Sequence, residues 1–411
     1  MAYRTLKSIF HQYDATAADR EEAARRSSPA AIRWDFQIGD SSMFCVVTPE
    51  IAVSIERIMR LENQAYVLWS KLPGGAQRHY LRSMIVEEVH ATNDIESIYS
   101  TRKEISEVLD EIEGGTETDR RRFREMARLY NALWKEEVDP PAGLDDIRKV
   151  YDEVTDQEVS VSDLPDGRRF RAGPVYITSG AKTVHQGVSG EDTIDAGLME
   201  MLRQSRDESI PHLIRAVMAH FIFECTHPFY DGNGRTGRYL LALDLTRCLS
   251  PVAWLSMSST IADNKERYYK AFQDAEKSLN RGDVTVYVDT MLEILVEAQS
   301  RMREDLERRH KQIGQLANTV SSLDNVEDHR TLLFILGQAA LFDPRGRITL
   351  EDLSRSMEQS KQTVRKHTKE LVSQGLIEEA SARPLRFRLT NSGSTYVGLT
   401  ELSLETDDVT S

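Results

Sequence analysis

The chain has 411 residues, 40% hydrophobic and 29% charged, with 52 Lys and Arg against 66 Asp and Glu and a net charge of −14. That length allows two or three domains, the composition is that of an ordinary globular protein, and the acidic balance argues against a globally basic nucleic-acid binder. Cys45, Cys225 and Cys248 show no zinc spacing, no apolar run approaches 18 residues, and no signal-peptide core opens the chain, so the expectation is a cytoplasmic setting without a membrane span.

Residues 14–28 read as a helix or a mobile arm, and Ile32-Arg33-Trp34-Asp35-Phe36 carries the first large apolar anchors. Thr48-Pro49-Glu50 is a cap-and-proline helix start, with Ile51, Ile55, Ile58, Met59 and Leu61 on one face, and Pro73-Gly74-Gly75 breaks the pattern. A helix over 78–93 follows, then Thr92-Asn93-Asp94-Ile95-Glu96-Ser97; Thr92 and Glu96 are four apart, hence on one helix face, and taken alone they read as a solvated helix end. Further helices are predicted over 100–113, 118–138 and 144–152, the second opening with a basic run at Arg120, Arg121, Arg122 and Arg124 that reads as a solvated face. Residues 164–190 change character: Asp166-Gly167 is a turn signal, Phe170, Val175, Tyr176 and Ile177 are strand formers, and 179–182 turns the chain back, giving a short hairpin with His185 on its surface. Gly180-Ala181-Lys182-Thr183 is no P-loop, because Ala181 intrudes between Gly and Lys.

Helices over 192–205 and from 209 lead into the most informative stretch, His227-Pro228-Phe229-Tyr230-Asp231-Gly232-Asn233-Gly234-Arg235-Thr236-Gly237-Arg238. Its glycines let the backbone approach a ligand, and successive N–H groups in such a turn form an anion nest. Tyr239-Leu240-Leu241-Ala242 continues as a helix, whose N-terminus favours phosphate, and Arg235 and Arg238, three apart, can both add charge there. Asp231 beside such groups suits Mg2+, and His227 could deprotonate a hydroxyl. A hairpin turn is the bland alternative for Asp-Gly and Asn-Gly, but the flanks are helical rather than alternating. His220 within the preceding helix reads as a surface or core histidine.

This stretch resembles the signature of the Fic family, His-x-Phe-x-(Asp/Glu)-Gly-Asn-Gly-Arg-x-x-Arg, at every fixed position. The resemblance implies a mainly α fold: a Fic helical core with a short β-hairpin flap. It implies transfer of AMP from ATP, with Mg2+, to a hydroxyl side chain of a target protein, the chain itself included. His227 would be the general base, Asp231 the Mg2+ ligand, Gly232, Asn233 and Gly234 the phosphate cradle, Arg235 and Arg238 the phosphate clamps, and Phe229 a buried anchor. It also implies that Thr92 and Glu96 match an inhibitory segment, (Ser/Thr)-x-x-x-Glu-(Gly/Asn), whose Glu pairs with the last arginine; Ser97 departs from Gly/Asn. The hairpin at 170–187 would align the target, and Tyr268 and Tyr269 would border the adenosine.

Residues 284–316 read as a long connecting helix, and a polar break at 321–328 precedes an apolar helix over 332–341. Residues 348–371 look like helix-turn-helix, and 375–377 and 384–390 supply two wing strands, so the end of the chain resembles a winged helix. Residues 330–398 carry about +4, eleven Lys and Arg against seven Asp and Glu, in an otherwise acidic chain, and Lys361, Arg365, Lys366 and Lys369 could meet phosphate or base edges. The expected organisation is an N-terminal helical region over 1–110 with the inhibitory helix at about 88–97, a Fic core over 111–300, a connecting helix and linker over 301–328, a winged helix over 329–398 and an acidic, disordered tail over 399–411. Three readings stay open: an adenylyltransferase held off by Glu96, removal of AMP by the same site, and a DNA-binding regulator with a nucleotide-sensing core. A DNA or protein partner for the winged helix and a homodimer are also open.

Overall fold

The computed structural model describes residues 3–114, 122–156, 158–179, 182–343, 346–382 and 384–399, without the side chains of 177–179 and 182–186. It is mainly helical and divides into two compact units, residues 1–63 with 85–300, and residues 64–84 with 301–411. Among the described residues no helix is long and apolar enough to cross a membrane.

In the first unit, α1 (Leu6–Gln12) and α2 (Ala15–Ser27) precede an antiparallel hairpin, β1 (Ala31–Ile38) and β2 (Ser41–Val46). The expectation for this region named only apolar anchors. The strand signal was present: Trp34, Phe36 and Ile38 alternate into the core, and Gly39 turns the chain at φ 59°. α3 (Pro49–Ser70) buries Ile51, Ile58 and Leu61 as expected, but Met59 is exposed. α4 (Gly74–Ile95) starts at the glycines read as a breaker. Pro73 is the break, and its carbonyl accepts the Gln77 N–H at 2.9 Å.

α5 (Arg102–Glu113) is capped by the Thr101 hydroxyl, which accepts the Glu104 N–H at 3.2 Å. α6 (Arg124–Trp134) begins after Phe123, whose φ of 64° separates it from the residues before, so no continuous helix runs over 118–138; Arg120 and Arg121 lie outside the described residues. α7 (Leu144–Val154) follows as expected. The flap is β3 (Tyr176–Ser179) against β4 (Lys182–Gln186), antiparallel, with Tyr176 opposite Gln186. Phe170 and Val175 precede the strands rather than join them, and the His185 side chain lies outside what is described.

α8 (Glu191–Gln204) and α10 (Asn233–Leu245) pack on α9 (His212–Thr226). α9 is apolar nearly all round, with Leu213, Ile214, Val217, Met218, Phe221 and Ile222 buried, the pattern of a helix enclosed on every side. Each such side chain contributes about 1.5–3 kcal/mol of burial, which fixes the loop joining α9 to α10. α11 (Pro251–Trp254), α12 (Met257–Asp263), α13 (Lys265–Ala275) and α14 (Thr285–Ser321) complete the helices of this part of the chain; α14 runs five residues past its expected end.

The second unit contains α15 (Glu327–Phe342), β5 (Ile348–Thr349), α16 (Leu350–Ser356), α17 (Lys361–Ser373), β6 (Ile377–Ala382), β7 (Leu385–Leu389) and α18 (Asn391–Tyr396). The strands form an antiparallel sheet of order β5-β7-β6. Leu332, Leu336, Leu353, Val364, Leu371 and Phe387 fill its core, and the Tyr80 ring lies tilted against those of Trp69 and Phe342. α15 starts five residues before its expected start. Residues 400–411 of the expected acidic tail lie outside the described residues.

Candidate active site

α9 ends because Pro228 follows His227. The residue before proline is disfavoured in the α region, and His227 leaves the helix at φ 51°, ψ 63°. The loop then closes on itself. Asn233 Nδ2 donates to the Phe229 carbonyl at 2.8 Å, and the Phe229 N–H donates to Asn233 Oδ1 at 3.0 Å. Phe229 is fully buried, stacked on Tyr151 with ring centroids 3.6 Å apart. Gly232 turns the chain into α10 at φ 80°, where an added Cβ would meet Thr155 Cγ2 at 2.5 Å.

The first intrahelical bond of α10 runs from the Thr236 N–H to the Gly232 carbonyl at 3.1 Å. The N–H groups of Asn233, Gly234 and Arg235 therefore sit at the helix N-terminus with no partner inside it. Asp231 is exposed at this end, one carboxylate oxygen accepting the Gly232 N–H at 2.6 Å. His227 is buried, and its Nδ1 lies 3.3 Å from the Glu224 carbonyl. A carbonyl only accepts, so Nδ1 carries the proton and Nε2 is the basic atom.

The two arginines point to different partners. Arg238 Nε donates to the Thr92 hydroxyl at 2.8 Å, and Nη2 donates to the Thr92 carbonyl at 3.0 Å and to Glu96 Oε1 at 2.8 Å. Thr92 and Glu96 are brought together with the loop, as their spacing on α4 requires. Burial works against the Arg238 charge, but Glu96, Tyr268 and Glu224 outweigh it, and the guanidinium is held more firmly protonated than usual. A Cβ at Gly234 would collide with Glu96 Oε1, so the Glu96 carboxylate lies directly over the N-terminus of α10.

Arg235 instead forms a buried ion pair with Glu158, which also accepts the Phe123 N–H at 3.0 Å. Nε and Nη2 of Arg235 are buried with no hydrogen-bond partner among the described residues. Burial pushes the Glu158 carboxyl up, against the pull of Arg235.

Ser97 is the point of departure from the expected inhibitory pattern, and it takes φ 59°. The Ile98 N–H donates to the Asn93 carbonyl at 2.9 Å and the Ser97 N–H to the Asp94 carbonyl at 3.0 Å. This is a Schellman ending with Ser in the left-handed position that Gly or Asn favours. The helix closes, so Glu96 is delivered to Arg238 despite the substitution.

Tyr268 is buried and Tyr269 partly exposed. The Tyr268 hydroxyl lies 2.7 Å from His220 Nε2, and His220 Nδ1 lies 3.1 Å from the Gly237 carbonyl. His220 is thus a core residue: Nδ1–H donates to the carbonyl and Nε2 accepts from the tyrosine. Burial and the Arg238 charge pull its pKa down to about 3, so it stays neutral.

Four residues escaped the reading of the sequence. Glu158 is one. Arg171 is another: its guanidinium donates to the carbonyls of His227, Gly173, Val188 and Thr226 at 2.7, 2.7, 2.7 and 3.2 Å, tying the residues around the hairpin to the loop between α9 and α10. Glu224, one turn before His227, keeps 15% of its side-chain surface in solvent but has Oε1 buried, and burial pushes its carboxyl up to about 8. Glu88 accepts the Ser258 N–H at 2.9 Å and anchors α4 to the start of α12. The spacing Glu88, Thr92, Glu96 puts all three on one helix face, a signal that could have found Glu88.

Residues 141–245 match the Fic/DOC family. The chain is 30% identical over 113 residues to a probable protein adenylyltransferase of Aquifex aeolicus (strain VF5), covering 27% of this chain and 28% of that protein. It is 26% identical over 152 residues to protein adenylyltransferase fic-1 of Caenorhabditis elegans, covering 35% and 25%. The matches thus span only 28% and 25% of these relatives. The crystal structure of a Fic family protein from Desulfovibrio desulfuricans G20 superposes with a TM-score of 0.52 at 22% identity, covering 84% of this chain and 97% of that one, which establishes likeness of fold. The loop, the helices that pin it and both arginines fall within 141–245, and this stretch of the chain is a Fic/DOC family domain.

Proposed function

We propose that the chain is a protein adenylyltransferase that moves AMP from ATP to a hydroxyl on a protein, and that Glu96 holds it off in its resting state. The observation that carries this reading is the triple contact of Arg238 with Thr92 and Glu96 at the N-terminus of α10. A carboxylate there occupies the charge site a triphosphate needs, so ATP meets an anion where it requires a cation.

His227 Nε2 takes the proton of the attacking hydroxyl. The N–H groups of Asn233, Gly234 and Arg235, with Gly232 shaping the turn, receive phosphate oxygens, and Arg238 joins them once Glu96 withdraws. The orphaned nitrogens of Arg235 fit an anion at this end of the helix. Asp231, exposed beside the nest, would hold Mg2+, which neutralises phosphate charge when bound. Tyr269 offers the more accessible ring for adenosine, with Tyr268 behind it. The flap presents a strand edge to an extended target segment.

Incubation with labelled ATP and Mg2+ tests the reading. Glu96→Gly transfers label to a protein, the chain itself included, and adding His227→Ala removes that transfer by about 100-fold or more while nucleotide binding persists. Full transfer in the double variant would remove His227 as the base.

We read the second unit as a winged helix over 329–398. The order of α15, β5, α16, α17, β6 and β7 supports this, and so does the exposure of Lys361, Arg365, Lys366 and Lys369 on α17. Binding to duplex DNA that weakens steeply with salt would support a regulatory role; no binding at low salt would leave a protein partner.

A further inference from the structure

We propose that the second unit holds one divalent cation of the zinc class between the first turn of α15 and the middle of α17, with His329, His367 and Glu370 as ligands. One nitrogen of each histidine and one carboxylate oxygen of Glu370 lie within 4.8 Å of one another. Ligand atoms at the ordinary zinc bond length of about 2.0–2.1 Å stand roughly 3.3 Å apart around a tetrahedral ion, so modest side-chain rotation closes the set. One edge is nearly in place: His329 Nε2 is 3.0 Å from Glu370 Oε2. The two imidazoles meet edge to face, with centroids 5.3 Å apart. His367 and Glu370 are three apart on α17 and so project from one face of that helix.

The surroundings of His367 point the same way. Its Nε2 lies 3.1 Å from Asp328 Oδ2, and Asp328 Oδ1 accepts the Gln359 amide at 2.7 Å. Both oxygens of Asp328 are therefore engaged, and this carboxylate orients the ring rather than joining the ligands. A proton on Nε2, facing the Asp328 carboxylate, would leave the lone pair on the other nitrogen, Nδ1. That atom is buried with no hydrogen-bond partner among the described residues. A buried basic nitrogen without a donor lacks a partner, and a cation supplies one. A carboxylate bound to the far side of a ligating imidazole is the usual outer support of such sites, fixing the tautomer and raising the basicity of the ligand.

Two imidazoles and a carboxylate favour zinc or a neighbouring transition metal over Mg2+, which prefers oxygen ligands. Three protein ligands leave a fourth position for water. The ion would cross-link α15 to α17, the helix that presents Lys361, Arg365, Lys366 and Lys369, and so fix the aim of that basic face. The alternative occupant of the same geometry is a pair of histidine–carboxylate ion pairs with no metal.

The untagged full-length chain, stripped with chelator and titrated with Zn2+ against a chromophoric indicator, separates the two. The expected result is one site of micromolar or tighter affinity, lost by at least about 10-fold in His367→Gln and Glu370→Gln and weakened about 10-fold or more in Asp328→Asn. Glu370 is partly exposed, so Glu370→Gln keeps the fold, and matching far-ultraviolet spectra of the metal-free variants establish this. X-ray absorption of the zinc-loaded chain should show two imidazoles bound. Wild-type chain that takes up no Zn2+, variants that bind it as tightly as wild type, or a shell of oxygen alone would each overturn the proposal.

Discussion

Arg235 and Arg238 leave the same helix one turn apart, and each ends on a carboxylate from earlier in the chain. The side chains of the arginines keep 1% and 2% of their surface in solvent, but their partners differ: Glu158 keeps 5% and Glu96 keeps 31%. Glu158 is enclosed and also holds the Phe123 backbone. Glu96 sits at the end of a helix, beside a residue in a left-handed conformation. On the proposed function, the difference separates a tie from a latch. Both arginines are buried charges, so what differs is the carboxylate: Glu158 is enclosed, whereas Glu96, already 31% in solvent, has a path into water. Arg238 also has a second acid near it, Glu224, whose carboxyl burial pushes up to about 8.

The largest expected effect falls on the tie. Glu158→Gln leaves the Arg235 guanidinium without its counter-charge and should lower stability by about 3–5 kcal/mol, read from urea unfolding. A loss under about 1 kcal/mol would erase the distinction between the two arginines.

Next comes pH. The folded pKa of Glu224 is raised to about 8 from an ordinary 4.5, and that of Glu88 to about 7, in both cases chiefly by burial. A raised carboxyl favours the folded state fully below its unfolded pKa and loses that contribution as pH climbs through the folded value. Stability should therefore decline between about pH 4 and 8 and level off above, and Glu224→Gln should flatten the decline by up to about 5 kcal/mol. Parallel stability curves for wild type and variant would show that Glu224 ionises freely.

The smallest effect concerns the hinge of the latch. Ser97→Gly removes a left-handed strain at the end of α4 and should raise the melting free energy by about 0.5–1 kcal/mol, net of the added freedom of the unfolded chain. A loss of stability would mean that the Ser97 side chain holds the turn in some other way.

The loop from His227 to Arg238 was legible because its chemistry is contiguous: base, carboxylate, nest and guanidiniums follow one another within two helix ends. Glu96 was legible through its spacing from Thr92 together with the family resemblance. Glu158 and Arg171 were not, because each acts across tens of residues from an irregular segment with no period to read, and among the described residues Arg171 donates to backbone carbonyls, which leave no trace in sequence. The β1–β2 hairpin could have been found from the alternation of Trp34, Phe36 and Ile38 before Gly39. The start of α4 was misread because glycine is a weak helix former on propensity alone, and here the preceding Pro73 sets the boundary. His329, His367 and Glu370 fit no zinc spacing along the chain, since the fold alone brings α15 and α17 together.

The proposed function turns on whether Glu96 is what keeps Arg238 from ATP. Transfer of labelled AMP to protein should be measured for wild type and Glu96→Gly at equal concentration with ATP and Mg2+. Glu96→Gly should transfer at least about 10-fold more label, equivalent to about 1.4 kcal/mol or more of the barrier. Equal labelling by the two, whether high or absent, would contradict it.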